Sequence, residues 1–190
     1  KVELREILLR DKPAAFLATS PKGTVPALKF EDGQVIDESR DIMFWALGQN
    51  DPENWLAVWR QNPALTMAFL DRLDGGFKHD LDRYKYASRY DRDAGSAHRD
   101  SGGAFLAEIN QDLQQTGALS GVQLGLLDFA TLPFVRQFRI ADPDWFDNQS
   151  WPHLHAWLGG FLDSASFRLV MQKYPQWSPD GQSIAFPPKP

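Results

Sequence analysis

The chain has 190 residues, 43% hydrophobic and 13% aromatic, which is enough apolar material for one core or two small ones. A formal net charge of −5 argues against nucleic acid as a partner, because phosphate binding needs a basic face. The absence of cysteine excludes disulfides, thiolate metal sites and a cysteine nucleophile within these residues.

No apolar run reaches the roughly 18 residues a membrane span requires. The mixed, polar start Lys1-Val2-Glu3-Leu4-Arg5-Glu6 does not read as a signal peptide. By elimination, a cytoplasmic protein is expected.

Residues 2–9 alternate well enough to predict a strand, stopped by Lys12-Pro13. A short helical turn over residues 14–18 follows, with Pro13 at its first position. Ser20-Pro21-Lys22-Gly23 is a turn signal. Residues 25–30 predict a second strand led by Pro26. Residues 31–34, containing Asp32-Gly33, predict a hairpin turn into a return strand at Val35-Ile36. Ser39 opens a helix that runs to Leu47 and is closed by Gly48.

After Asp51 the pattern is helical, with no convincing strand. Pro63 heads a helix with Leu65, Phe69, Leu73 and Phe77 on one stripe, and Gly75-Gly76 predicts a bend or break within it. Residues 87–101 read as loop or frayed helix. Phe105, Leu106, Ile109 and Leu113 repeat at helical spacing up to a stop at Gly117. Further helices carry Leu127, Ala130, Phe134 and Phe138, then Leu154, Trp157, Leu158, Phe161 and Leu162 after Pro152. A short helix over residues 166–174 precedes a Pro-rich tail. The expected organisation is a small α/β piece at 1–48 and an all-helical domain at 49–190.

Basic residues gather at Lys78, Arg83, Lys85, Arg89 and Arg92. Interleaved Asp80, Asp82, Asp91 and Asp93 make this a solvated helix face. The four histidines, including His153 and His155 two residues apart, form no metal-binding motif. Most of the seven tryptophans fall on apolar stripes and are expected in the core, whereas Trp55, Trp59 and Trp177 are harder to place.

Val25-Pro26-Ala27-Leu28, a hairpin, and Asp37-Glu38-Ser39 opening a helix resemble the glutathione-binding signature of the glutathione S-transferases. Lys12-Pro13 and Ser20-Pro21-Lys22-Gly23 are placed as in the omega-like, cysteine-type bacterial branch. Leu119-Ser120-Gly121, Gly125-Leu126-Leu127-Asp128 and Trp151-Pro152 through Trp157 resemble the family's C-terminal domain. The resemblance implies a thioredoxin-like N-terminal domain, here incomplete, followed by a helical bundle. It also implies that the first strand and helix, with the loop bearing the catalytic Tyr, Ser or Cys, would precede Lys1.

The resemblance implies a cis Val25–Pro26 bond and a Val25 backbone that pairs with the cysteinyl part of glutathione. Independently of it, Ser39 at a helix start offers a hydroxyl and amides to a carboxylate, and Glu38 offers a charge to an ammonium. Together they match the γ-glutamyl end of glutathione, with a plain helix cap the alternative for Ser39; by resemblance, Lys12 meets the glycyl carboxylate, with a solvated surface lysine the alternative. Asp128 matches the family's helix-capping box, with Gly125 where a Ser or Thr would stand, and reads as structural. Tyr84 and Tyr86 are candidates for the wall of a second, apolar substrate pocket, with ordinary packing the simpler role.

Two functions follow. One is an enzyme that binds glutathione and transfers or exchanges its thiol with a small hydrophobic or disulfide substrate, without a metal. The other is a non-catalytic binding or regulatory module on the same fold. Family members are usually homodimers, packed through the helix after Ser39 and the first long helix of the second domain.

Overall fold

A computed structural model describes residues 1–86 and 95–188. The chain divides into two compact units, Lys1–Gly48 with Val170–Pro190, and Gln49–Leu169.

The first unit contains β1 (Val2–Leu4), α1 (Ala14–Thr19), β2 (Leu28–Lys29), β3 (Val35–Ile36), most of α2 (Ser39–Gln49) and, from the other end of the chain, β4 (Ile184–Phe186). The strands are shorter than their sequence runs. Leu8 and Leu9 remain exposed, and a bridge between Leu8 and Asp11 turns the chain before the first run can extend. β2 and β3 pair antiparallel, with Leu28 opposite Ile36 and Lys29 opposite Val35. Their turn closes through Phe30 N–H to the Gln34 carbonyl (2.9 Å) and Gln34 N–H to Asp32 Oδ1 (2.9 Å). Gly33 takes a φ of +90°, the left-handed conformation that the Asp-Gly pair predicted. Phe30 meets Trp45 edge to face at 5.2 Å, which holds the hairpin against α2.

The Pro-rich tail does not stay with the helical half, and the expectation of no strand after Asp51 fails there. β4 pairs antiparallel with β1, Val2 opposite Phe186 and Leu4 opposite Ile184. Trp177 N–H donates to the Glu6 carbonyl (2.8 Å), and the Arg5 guanidinium lies 5.0 Å over the Trp177 ring. Exposed backbone groups at a strand edge need partners, and the tail supplies them to β1.

The second unit is helical: α3 (Ala57–Gln61), α4 (Pro63–Arg72), a π-helical segment (Leu73–Phe77), α5 (Lys78–Lys85), α6 (Gly95–Thr116), α7 (Leu126–Ala141), α8 (Pro143–Asp147) and α9 (Pro152–Leu162), followed by most of α10 (Ala165–Val170). Residues 95–101, expected as loop or frayed helix, form the first turns of α6; residues 87–94, with Arg89, Asp91, Arg92 and Asp93, lie outside the described residues. α6 packs against both α5 and α9, while α7 packs on α5, α8 and α9. Leu106 and Ile109 of α6, Leu132 and Phe138 of α7, and Leu154 of α9 are fully buried. Each such side chain contributes about 1.5–3 kcal/mol of transfer free energy. A β-carbon on Gly102 would stand 2.5 Å from the Phe138 ring, so glycine is what lets α7 lay that ring onto α6.

The expected stripe on α4 is rotated. Leu65 is 68% exposed, and Thr66 and Leu70 are buried in its place, in line with Leu73 and Phe77. Thr66 goes inward because its hydroxyl donates to the Val58 carbonyl (3.2 Å), so its burial leaves no polar group unpaired. Gly75 and Gly76 widen one turn into the π-helical segment, and the helix continues into α5.

Asp128 holds the entry to α7 together, as its structural reading expected. Its Oδ1 accepts from Leu119 N–H (2.8 Å) and Trp157 Nε1–H (2.9 Å), and its Oδ2 from Ser120 N–H (3.0 Å) and Gly125 N–H (3.0 Å). The hydroxyl that Gly125 lacks is supplied from the preceding loop, where Ser120 Oγ accepts the N–H of Leu127 (3.1 Å).

Candidate functional site

The site begins with a tight turn. Gly23 N–H donates to the Ser20 carbonyl (2.8 Å), and Ser20, fully buried, also donates its backbone N–H to Phe16 at the end of α1 (2.8 Å). Gly23 has a φ of +65°, in the left-handed region where a side chain is strained. A β-carbon there would also lie 3.4 Å from Lys12 Nζ, so the Lys12 ammonium rests against the turn. Two residues on, the Val25–Pro26 bond is cis, as the family resemblance implied. Val25 is 46% exposed, and Pro26 is exposed beside it, ahead of β2.

The opposite wall is the opening of α2. The Glu38 carbonyl accepts the first helical bond, from Ile42 N–H (3.0 Å), which places Glu38 at the cap and Ser39 in the first turn. Both are exposed. The amides of a helix's first turn have no acceptor within the helix, and its dipole favours negative charge there.

Lys22 joins the two walls. Its ammonium donates to Glu38 Oε1 at 2.9 Å and to Asp37 Oδ1 at 3.3 Å. The hydrogen bond to Glu38, then that to Asp37, raises the Lys22 pKa above its ordinary value. Lys22 ties the turn to the helix start, Lys12 lies against that turn, Val25 and Pro26 follow it in sequence, and Glu38 and Ser39 open α2. Lys22 and Asp37 stood within the motifs read from the sequence but were given no role of their own. The available signal was a lysine in the turn directly before the Val-Pro strand, with two adjacent acids at the next helix start.

In the second unit, the Tyr84 ring packs at 5.0 Å from Phe138, and its buried hydroxyl has no hydrogen-bond partner among the described residues. Burial, and then the Asp142 carboxylate, push its pKa up to about 12, against a smaller opposing effect of Arg99. His98 Nδ1 lies 2.7 Å from Asp80 Oδ1, and Ser101 donates to Asp80 Oδ2 (2.6 Å), a polar link between α5 and α6. Trp55 stacks on Phe129 with ring centres 3.9 Å apart. Among the described residues, no group of three His, Cys, Asp or Glu is arranged to hold a metal ion. No helix among them is long and apolar enough to cross a membrane.

Comparison with known proteins gives the family. The description "Glutathione S-transferase, N-terminal domain" matches residues 1–46, and "Glutathione S-transferase, C-terminal domain" matches residues 66–160. Among solved structures, this fold is similar to that of a glutathione S-transferase-I bound with lactoylglutathione. The TM-score is 0.65 at 20% identity, covering 83% of this chain and 78% of that one. It is similar to a glutathione S-transferase from Rhodospirillum rubrum, with a TM-score of 0.63 at 22% identity, covering 90% and 82%. A glutathione transferase family member from Pseudomonas fluorescens, with two glutathione bound, gives a TM-score of 0.66 at 19% identity, covering 81% and 73%. No curated protein matches. With its two domain matches together spanning most of its length, the chain belongs to the glutathione S-transferase family.

Proposed function

We propose that the first unit binds glutathione and that the protein transfers or exchanges its thiol with a small hydrophobic electrophile or a disulfide. The observation that carries this reading is the pairing of both charge signs at the opening of α2, where Lys22 meets Asp37 and Glu38, in a chain of this family. Glutathione has an ammonium and a carboxylate at its γ-glutamyl end and a second carboxylate at its glycyl end. Glu38 suits the ammonium, and Ser39 with the first amides of α2 suits the adjacent carboxylate. Lys12 suits the glycyl carboxylate and aligns the protein with the omega-like, cysteine-type branch. The backbone of Val25, ahead of Pro26, suits the cysteinyl peptide as an added strand. The glutathione and lactoylglutathione found in two similar structures belong to the same ligand class. Assembly as a homodimer is part of this reading.

Retention on immobilised glutathione tests it. The protein is expected to be retained and eluted by free glutathione, and Glu38→Ala combined with Ser39→Ala to lose affinity by roughly ten-fold or more, since two charge-assisted contacts disappear. Undiminished retention of the double variant would remove the site assignment.

A further inference from the structure

We infer that Lys22 is a further ligand-binding residue of the glutathione site: it gives up Glu38 to the incoming ammonium and takes the γ-glutamyl carboxylate in exchange. This rests on the glutathione reading above and adds a residue to it. The geometry sets a problem that Lys22 solves. Asp37 and Glu38 are adjacent carboxylates at the place where a ligand carboxylate must approach Ser39. Unbalanced, they would repel it at close range. Lys22 stands 2.9 Å from Glu38 and 3.3 Å from Asp37, so a single ammonium offsets both.

The ligand's own charges make the exchange neutral. Its ammonium replaces Lys22 on Glu38. The Lys22 ammonium keeps Asp37 and has a donor freed for the carboxylate that arrives beside Ser39. An ammonium has three donors on a flexible stem and moves between acceptors without reorganising the backbone. Lys22 is more than half exposed, and its bonds to the two acids run from a surface turn, so neither packing nor a buried network holds it in place. The raised pKa of Lys22 keeps it charged throughout the neutral range. The expected selectivity is for a γ-linked residue carrying both charges over one carrying the ammonium alone.

Calorimetric titration of the intact protein and of Lys22→Gln with two ligands tests this. The ligands are glutathione and 4-aminobutyryl-cysteinyl-glycine, which lacks only the γ-glutamyl carboxylate. Lys22→Gln is expected to weaken glutathione by about five-fold, the upper range for an exposed charge contact, and Lys22→Arg to retain binding. The same Lys22→Gln change is expected to leave the decarboxylated ligand bound as tightly as before, or more tightly, because Glu38 is then free. An equal loss for both ligands would make Lys22 a structural prop, and no loss for either would make it a bystander; both results overturn the exchange while leaving the glutathione reading intact. Failure of the unaltered protein to bind glutathione would instead remove the glutathione reading, and the exchange with it.

Discussion

The Tyr84 hydroxyl, buried against Phe138, has no partner among the described residues, and a buried polar group in that state costs free energy. Tyr84→Phe keeps the ring and removes the orphan, so thermal or urea denaturation is expected to show unchanged stability or a gain of up to about 1 kcal/mol. The titration has a definite sign. With its folded-state pKa raised to about 12 from 10.0, Tyr84 contributes stability that is fully present below pH 10.0 and is lost as pH rises through about 12. Alkaline denaturation of Tyr84→Phe should lack that loss, and the tyrosinate absorbance step near pH 12 should disappear. Sequence reading placed Tyr84 on a helix and preferred packing to ligand contact, but periodicity alone does not say whether a hydroxyl finds a partner. The helix start at Glu38 and Ser39 was legible because its signals are local. The ion pairs of Lys22 were not, because they depend on a turn folding back across fifteen residues to Asp37.

Among the elements, α7 shows how a departure from a family pattern is compensated. Gly125 leaves the capping box half-empty, and Ser120 fills it from the preceding loop. The two positions share one space: a β-carbon on Gly125 would meet Ser120 Cβ at 2.9 Å and the Trp55 carbonyl at 3.2 Å. Gly125→Ser alone is therefore expected to destabilise the protein by about 1–3 kcal/mol through overpacking. Ser120→Gly alone should cost about 1 kcal/mol through the lost cap. The double variant should recover part of the loss, because the new hydroxyl caps α7 locally; additivity in a denaturation cycle would refute the exchange of roles. The longer helices of this unit were readable from spacing, whereas the short α3 and α8 and the first turns of α6 were not. Helix facing was not always readable, and Thr66 shows why. A polar residue whose hydroxyl reaches a carbonyl across the α3–α4 turn goes inward, and the neighbouring Leu65 goes outward, against simple hydropathy.

For the molecule as a whole, the change to a helical pattern after Asp51 was visible in the sequence; the structure's second unit runs from Gln49 to Leu169 and leaves the tail with the first. The destination of the tail was not visible. Three residues of β4 flanked by prolines look like loop, and their pairing with β1 has no local signature. Deleting residues 171–190 should leave Val2–Leu4 without its ladder and Glu6 without the Trp177 amide. Hydrogen exchange at β1 is then expected to accelerate at least about ten-fold, with α6 and α7 unchanged. Uniform acceleration would mean that the tail stabilises the chain in some other way.

The pairing of Val2 with Phe186 also orders events on the ribosome. β1 waits for its neighbour until residue 186 has emerged, whereas the helices between them find their contacts nearer in sequence and can settle earlier. The first unit is thus the one that finishes folding last, and a nascent chain from which only residues up to Leu169 had emerged would carry a formed helical unit and an unclosed first unit.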